Sequence, residues 1–175
     1  YIFGTPSEYE FCKKFIYSYQ SINKCYLFSD HSGFYTKEKL KKVLGSFGYE
    51  TEDLGPSNIN IDSDYPDFSS EAINKALKNP GYIFASCSSG QGINISLNKH
   101  KDVISAIIYD KNSFCKSIEH NCANAFVFPE NIWKNNSFNE LIQLSPKLIF
   151  SRGRPQTSII KLSNLYPRSL SDTRS

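Results

Sequence analysis

Short apolar runs of strand length alternate with amphipathic stretches along most of this chain, and that alternation limits the fold more than any other feature. Residues 25–28, 82–86, 103–109 and 125–128 have the length and composition of buried strands, and residues 49–54 form a weaker one. Between them, residues 37–47 place Leu40, Val43, Leu44 and Phe47 on one stripe with lysines opposite, and Gly48 follows as a helix-ending glycine. Residues 68–77, 93–98, 113–120 and 137–144 read as further helices. Strands that alternate with helices of about ten residues are βαβ units, so the expected fold is α/β, a Rossmann-like, doubly wound, parallel five-stranded sheet. An extra N-terminal helix is expected over residues 7–19, where Ser7 and Glu10 form a capping-box pattern and Cys12, Phe15, Ile16 and Tyr19 share a face.

At 175 residues the chain suits one domain with a real core. The expected division is a helical extension over 1–24, the sheet domain over 25–165 and a polar, frayed tail over 166–175. No apolar run approaches a membrane span. A net charge of +3, from 20 basic and 17 acidic residues, is too even to imply nucleic acid. The five cysteines (Cys12, Cys25, Cys87, Cys115, Cys122) lack Cys-x-x-Cys spacing, which argues against a structural zinc or a disulfide framework. Reduced thiols in an intracellular protein are expected, in the cytoplasm or, if a targeting segment has been removed, in an organelle.

In a doubly wound sheet, ligands sit outside the carboxyl ends of the strands, and reactive side chains cluster in such loops here. Asp30 and His31 follow the first strand, Tyr65 lies in the long loop after the second, and Cys87 ends the third, ahead of the turn Ser88-Ser89-Gly90-Gln91-Gly92. His120 and Asn121 end a helix and lead into the fifth strand. Each has a plain alternative. A cysteine ending an apolar strand is most often a small buried hydrophobe, Asp30 could cap the next helix, His120 could sit on a helix dipole, and His100 reads as a solvated helix end. The Ser/Gly turn lacks the lysine of a P-loop.

In combination and order these blocks are more telling. Ser29-Asp-His-Ser-Gly-Phe34, Asp64-Tyr-Pro-Asp67, Cys87-Ser-Ser-Gly-Gln-Gly-Ile93 and His120-Asn-Cys-Ala-Asn124 resemble the ribose-5-phosphate isomerase B family, which includes the paired subunits of galactose-6-phosphate isomerase. The likeness runs from about residue 25 to about 165. It implies an aldose–ketose isomerase of the pentose phosphate pathway, interconverting ribose 5-phosphate and ribulose 5-phosphate through an enediolate with no metal or organic cofactor. On the resemblance, Cys87 is the base, its thiol pKa lowered by the following helix N-terminus. The N–H groups of the Ser88–Gly92 turn, including Gly90, and the Asn121 amide serve the oxyanion. Ser89 supplies a hydroxyl near the sugar; Asp30, His120 and Tyr65 serve ring opening and sugar contact; His31 and Arg154 contact the phosphate. The resemblance also implies a homodimer or tetramer in which the His120–Asn121 segment of one protomer faces Cys87 of another.

The chain departs from the family pattern in one respect above all. Ile118 and Ser158 stand where the family has phosphate-binding arginines, and Ser88 and Cys122 replace a glycine and an aspartate. Losing two charge-assisted contacts of about 1.5–3 kcal/mol each would thin the phosphate clamp. Two other readings therefore stay open: a non-catalytic structural subunit of a larger assembly, and an isomerase with an altered sugar or a hetero-oligomeric partner that supplies the missing arginines.

Overall fold

The computed structural model describes residues 22–59, 64–121 and 123–142. Their elements alternate as the sequence predicts: β1 (Lys24–Ser29), α1 (Phe34–Ser46), β2 (Glu50–Asp53), α2 (Tyr65–Lys78), β3 (Tyr82–Cys87), α3 (Gln91–Asn98), β4 (Ser105–Ile107), α4 (Lys111–Glu119), β5 (Ala125–Pro129), α5 (Glu130–Trp133) and α6 (Asn139–Ile142). The strands form one sheet in the order β2-β1-β3-β5-β4, every pair parallel. The expected helix over 7–19 and the tail over 166–175 lie outside the described residues.

Period-two alternation in the three central strands divides the core into two layers. Cys25 and Leu27 of β1, Tyr82 and Phe84 of β3, and Phe126 and Phe128 of β5 face one side, where they meet Leu40 and Leu44 of α1, Phe114 and Ile118 of α4, Trp133 of α5 and Leu141 of α6. Phe28, Ile83, Ala85, Cys87, Ala125 and Val127 face the other side and meet Ala72 and Ile73 of α2 and Ile93 and Leu97 of α3. Rings dominate the first layer. The Phe126 centroid lies 4.9 Å from that of Phe114 and 5.2 Å from that of Phe84, and Trp133 stacks on Phe138 at 4.7 Å.

The structure revises several boundaries. β4 is three half-buried residues at the sheet edge, not the full apolar run 103–109, because only Ser105–Ile107 pairs with β5. α2 begins at Tyr65, so this residue opens a helix instead of lying in the preceding loop; Pro66 in its first turn fits, since that position needs no amide hydrogen. α1 starts three residues earlier than periodicity suggested. α4 is closed at its start by a capping box between Asp110 and Ser113. The short helix α5 had no sequence signal.

Two individual residues depart from expectation for stated physical reasons. Lys37 belongs to the lysine-rich stripe read as solvated, yet it is fully buried. Its Nζ contacts both carboxylate oxygens of Asp53 at 2.8 and 2.9 Å and donates to the Pro56 carbonyl at 2.8 Å. Burial alone would raise the Asp53 pKa, but the bonds from Lys37 and Lys41 hold it below the usual carboxylate value. This cluster pins the end of β2 and the Gly55–Pro56 turn onto α1. Ile118, expected at the rim of a phosphate site in the catalytic readings, sits in the aromatic layer with 1% exposure.

An arginine in place of Ile118 would place an unpaired charge among Phe114, Phe126 and their neighbours. Ile118→Arg is expected to destabilise the fold by about 3 kcal/mol or more, seen as a large drop in melting temperature. A melting curve within two degrees of the parent would contradict this placement.

Candidate active site

β1 sends its connection towards β2, and β3 sends its own past β5 to β4, so the loops after β1 and β3 diverge and leave a crevice at their carboxyl ends. The crevice is closed at its base by a backbone-to-backbone approach. A Cβ at Gly33 would lie 2.2 Å from the Ser86 carbonyl oxygen and 2.8 Å from the Cys87 nitrogen, so only glycine allows this contact. The Asp30 N–H donates to the same Ser86 carbonyl at 3.3 Å, and Asp30 Oδ1 accepts the Gly33 N–H at 2.9 Å. Asp30 therefore closes its own loop and does not cap α1. These bonds fix the Asp30–Gly33 loop against the start of the Cys87 loop.

Cys87 is the last residue of β3 and is almost fully buried among the α2 and α3 side chains. The chain then turns through Gly90, whose φ of 80° is left-handed, into α3. A Cβ at Gly90 would press on Pro129 and Ile107 at 3.1 and 3.2 Å, so the turn is wedged against β5 and β4. Gln91 and Gly92, read as part of a turn, form the first turn of the helix. Tyr65 lies over Gly92: a Cβ there would meet its ring at 2.9 Å and its hydroxyl at 3.0 Å. Tyr65 thus roofs the same side of the sheet that holds the Cys87 thiol.

The electrostatics of this pair differ from expectation. The N–H groups of Ile93, Gly90 and Ser89 donate towards the Cys87 sulfur, so the helix start favours the thiolate as the sequence suggested. Burial outweighs them, and the nearby Asp30 carboxylate adds repulsion, so the thiol pKa is raised, not lowered. Asp30 is affected in parallel: burial pushes its carboxyl up, against the Gly33 N–H and the His31 ring. The site at rest holds a protonated thiol beside a carboxyl group of raised pKa.

Other candidates fall nearby or far away. Ser88 and Ser89 are exposed on the loop; the Ser89 hydroxyl accepts the Gln91 N–H at 3.4 Å and the Ser88 carbonyl accepts the Asn131 N–H at 3.3 Å. His31 is exposed beside Asp30. His120 caps the C-terminus of α4, and Asn121 follows it towards the start of β5, at the opposite end of the sheet. Cys87 pairs in register with Pro129 at the far end of β5, so these groups are roughly 15 Å or more apart in one chain at the ordinary strand rise. Arg154, Ser158 and Cys122 lie outside the described residues. His100, read as solvated, is half-buried, and its Nδ1 accepts the Asp102 N–H at 3.2 Å.

The sequence reading missed a third wall. α5 begins directly after β5, its Asn131 bonded to Ser88 and its Glu130 Oε2 accepting the Thr36 N–H of α1 at 3.1 Å. Only a tertiary contact across 94 residues marks Glu130, and no local pattern announces it. Among the described residues no group of three or more His, Cys, Asp or Glu is placed to hold a metal ion, and no helix is long and apolar enough to cross a membrane.

Comparison with known proteins decides the family. The profile described as Ribose/Galactose Isomerase matches residues 25–162, which include every strand of the sheet and all three loops of the crevice. The chain belongs to the ribose/galactose isomerase family. Among the family's members, a probable ribose-5-phosphate isomerase B from Mycoplasma genitalium is 26% identical over 141 residues, 78% of this chain and 91% of the relative. A putative sugar phosphate isomerase from Bacillus subtilis, YwlF, is 28% identical over 145 residues, 81% of this chain and 96% of the relative. The crystal structure of a ribose 5-phosphate isomerase from Thermotoga maritima superposes with a TM-score of 0.69 at 27% identity, covering 81% of this chain and 97% of that one.

For this family member, the Asp30 carboxylate is a main obstacle to a Cys87 thiolate after burial itself. Asp30→Asn removes the repulsion, so Cys87 is expected to alkylate with iodoacetamide several-fold faster at pH 7, read by mass spectrometry at that residue. The pH dependence of labelling should shift to lower pH in the variant. An unchanged or slower rate at Cys87 would contradict the coupling.

Proposed function

We propose that this isomerase interconverts ribose 5-phosphate and ribulose 5-phosphate through an enediolate, with Cys87 as the base. The observation that carries the reading is the Cys87 thiol held at the switch point of the sheet, directly before α3 and beside the Asp30 loop that Gly33 seats on the Ser86–Cys87 backbone. A carboxyl group of raised pKa can accept a proton from a sugar hydroxyl.

The two groups act in sequence. Asp30 accepts the proton of the anomeric hydroxyl as the ring opens, and His120 donates to the ring oxygen. Once protonated, Asp30 no longer repels a negative sulfur, so Cys87 releases its thiol proton to solvent and the thiolate, favoured by the N–H groups at the start of α3, becomes accessible. It removes the proton from C2, the enediolate forms, the O2 proton passes to O1, and the sulfur returns its proton to C1. Asn121 donates to the oxyanion, Ser89 and Tyr65 contact the sugar, and His31 and Arg154 meet the phosphate. Because His120 and Asn121 lie at the far end of the sheet from Cys87, one chain alone does not assemble this set. A second copy of the chain, its His120–Asn121 end against the crevice, supplies the missing half, so the active form is a homo-oligomer.

On its own subunit Ile118 does not fill the Cys87 pocket, but its packing among apolar neighbours, away from any phosphate site, is the placement the structural alternative expects. Its side chain occupies the opposite layer from Cys87.

Cys87→Ala tests the assignment. The expected outcome is a loss of kcat for ribose 5-phosphate of about three decades or more with the melting temperature little changed, because only proton transfer loses its base. Activity near the parent level would remove Cys87 from the mechanism, and a failure of the parent chain to turn over ribose 5-phosphate would remove the substrate.

A further inference from the structure

The isomerase reading leaves one charged group at the crevice without a role. Glu130 belongs to α5, the helix that follows β5, yet its carboxylate reaches across to α1 and accepts the N–H of Thr36. α1 needs such a partner. It has no acidic residue in its first turn, and its N-cap, Gly33, has no side chain to offer. The first-turn N–H groups of a helix are orphan donors at the positive end of its dipole, and together they favour an anion. Thr36 adds a fully buried hydroxyl with no hydrogen-bond partner to the same turn.

The location matters more than the cap. α1 starts directly after Gly33, which touches the backbone of Ser86 and Cys87, so its first turn lies beside the crevice. Asn131, the neighbour of Glu130, is bonded to Ser88 on the other side. The same start of α1 follows directly on the loop of His31, which the isomerase reading gives to the substrate phosphate. The other charges nearby do not offset the carboxylate. Asp30 is acidic and His31 is an exposed imidazole. Lys37 is held by Asp53 and Glu38, and Lys39 donates to the Lys134 carbonyl, on the outer side of α1 and α5.

We propose that Glu130 is a specificity-determining residue, whose carboxylate holds the anion-accepting start of α1 and weakens the binding of a substrate phosphate at the crevice. The site therefore favours a phosphorylated sugar over its unphosphorylated counterpart by less than its cationic groups alone would allow. This rests on the isomerase reading, which has its own test in the Cys87 variant and in turnover of ribose 5-phosphate.

Glu130→Gln isolates the charge, because the amide oxygen can still accept the Thr36 N–H and keep α1 capped. The control is Glu71→Gln, the same loss of charge on the exposed side of α2. Titration of the full chain with inorganic phosphate at low ionic strength should give a dissociation constant about tenfold lower for Glu130→Gln than for the parent. Glu71→Gln should match the parent. With ribose 5-phosphate, KM should fall in Glu130→Gln while kcat stays within about twofold, and KM for unphosphorylated ribose should not move. Equal phosphate affinities in Glu130→Gln and parent, no phosphate binding by either, or the same gain in Glu71→Gln would overturn the proposal. So would a fall in melting temperature without a change in phosphate affinity, which would make Glu130 a helix cap and nothing more. The isomerase reading fails separately, by absence of turnover in both parent and Glu130→Gln.

Discussion

The contact of Gly33 with the Ser86 carbonyl is where the rest of the site takes its position. A side chain there would overlap the backbone at 2.2 Å, so the loop after β1 can lie on β3 only with glycine at this point. That approach brings Asp30 beside Cys87, lets the Asp30 N–H satisfy the Ser86 carbonyl, and starts α1 at the edge of the crevice. The parallel order β2-β1-β3 supplies the opening, because the connections from β1 and β3 leave in opposite directions. The Lys37–Asp53 cluster supports the arrangement from behind by tying the end of β2 to α1.

Burial sets the chemistry of the two reactive groups more strongly than the helix field does. The thiol of Cys87 receives three N–H groups from the start of α3 and is still pushed up, with the Asp30 carboxylate adding to the effect of burial. Asp30 is pushed up in turn by its own burial. Because the Asp30 carboxylate disfavours a negative sulfur, a proton gained by Asp30 eases ionisation of Cys87. In the proposed mechanism the sugar hydroxyl provides that proton, which ties activation of the base to the presence of substrate.

Periodicity made the sheet legible, since Cys25, Leu27, Tyr82, Phe84, Phe126 and Phe128 alternate with inward residues of the opposite layer. The candidate residues on the β1 and β3 loops were legible for the same reason, as a parallel sheet places them at one end. What the sequence could not convey depended on long-range contacts. Lys37 looks like any lysine on a polar stripe until Asp53 and Pro56 are brought to it. Glu130 lies in a four-residue helix with no periodicity to read, and its partner is 94 residues away. The direction of the Cys87 shift was misjudged because a sequence shows the glycines of a helix start but not how completely the thiol is enclosed.

The placement of His120 and Asn121 at the end of the sheet remote from Cys87 makes the account depend on a second subunit. Subunit mixing measures this directly. Cys87→Ala and His120→Ala proteins, each inactive alone, are dissociated, mixed in equal amounts and allowed to reassociate, and ribose 5-phosphate isomerase activity is followed. If each crevice is completed by a neighbour, mixed dimers contain one intact site, and activity should return to about a quarter of the parent level by random pairing. A mixture that demonstrably exchanges subunits and stays as inactive as its parts would contradict the shared site.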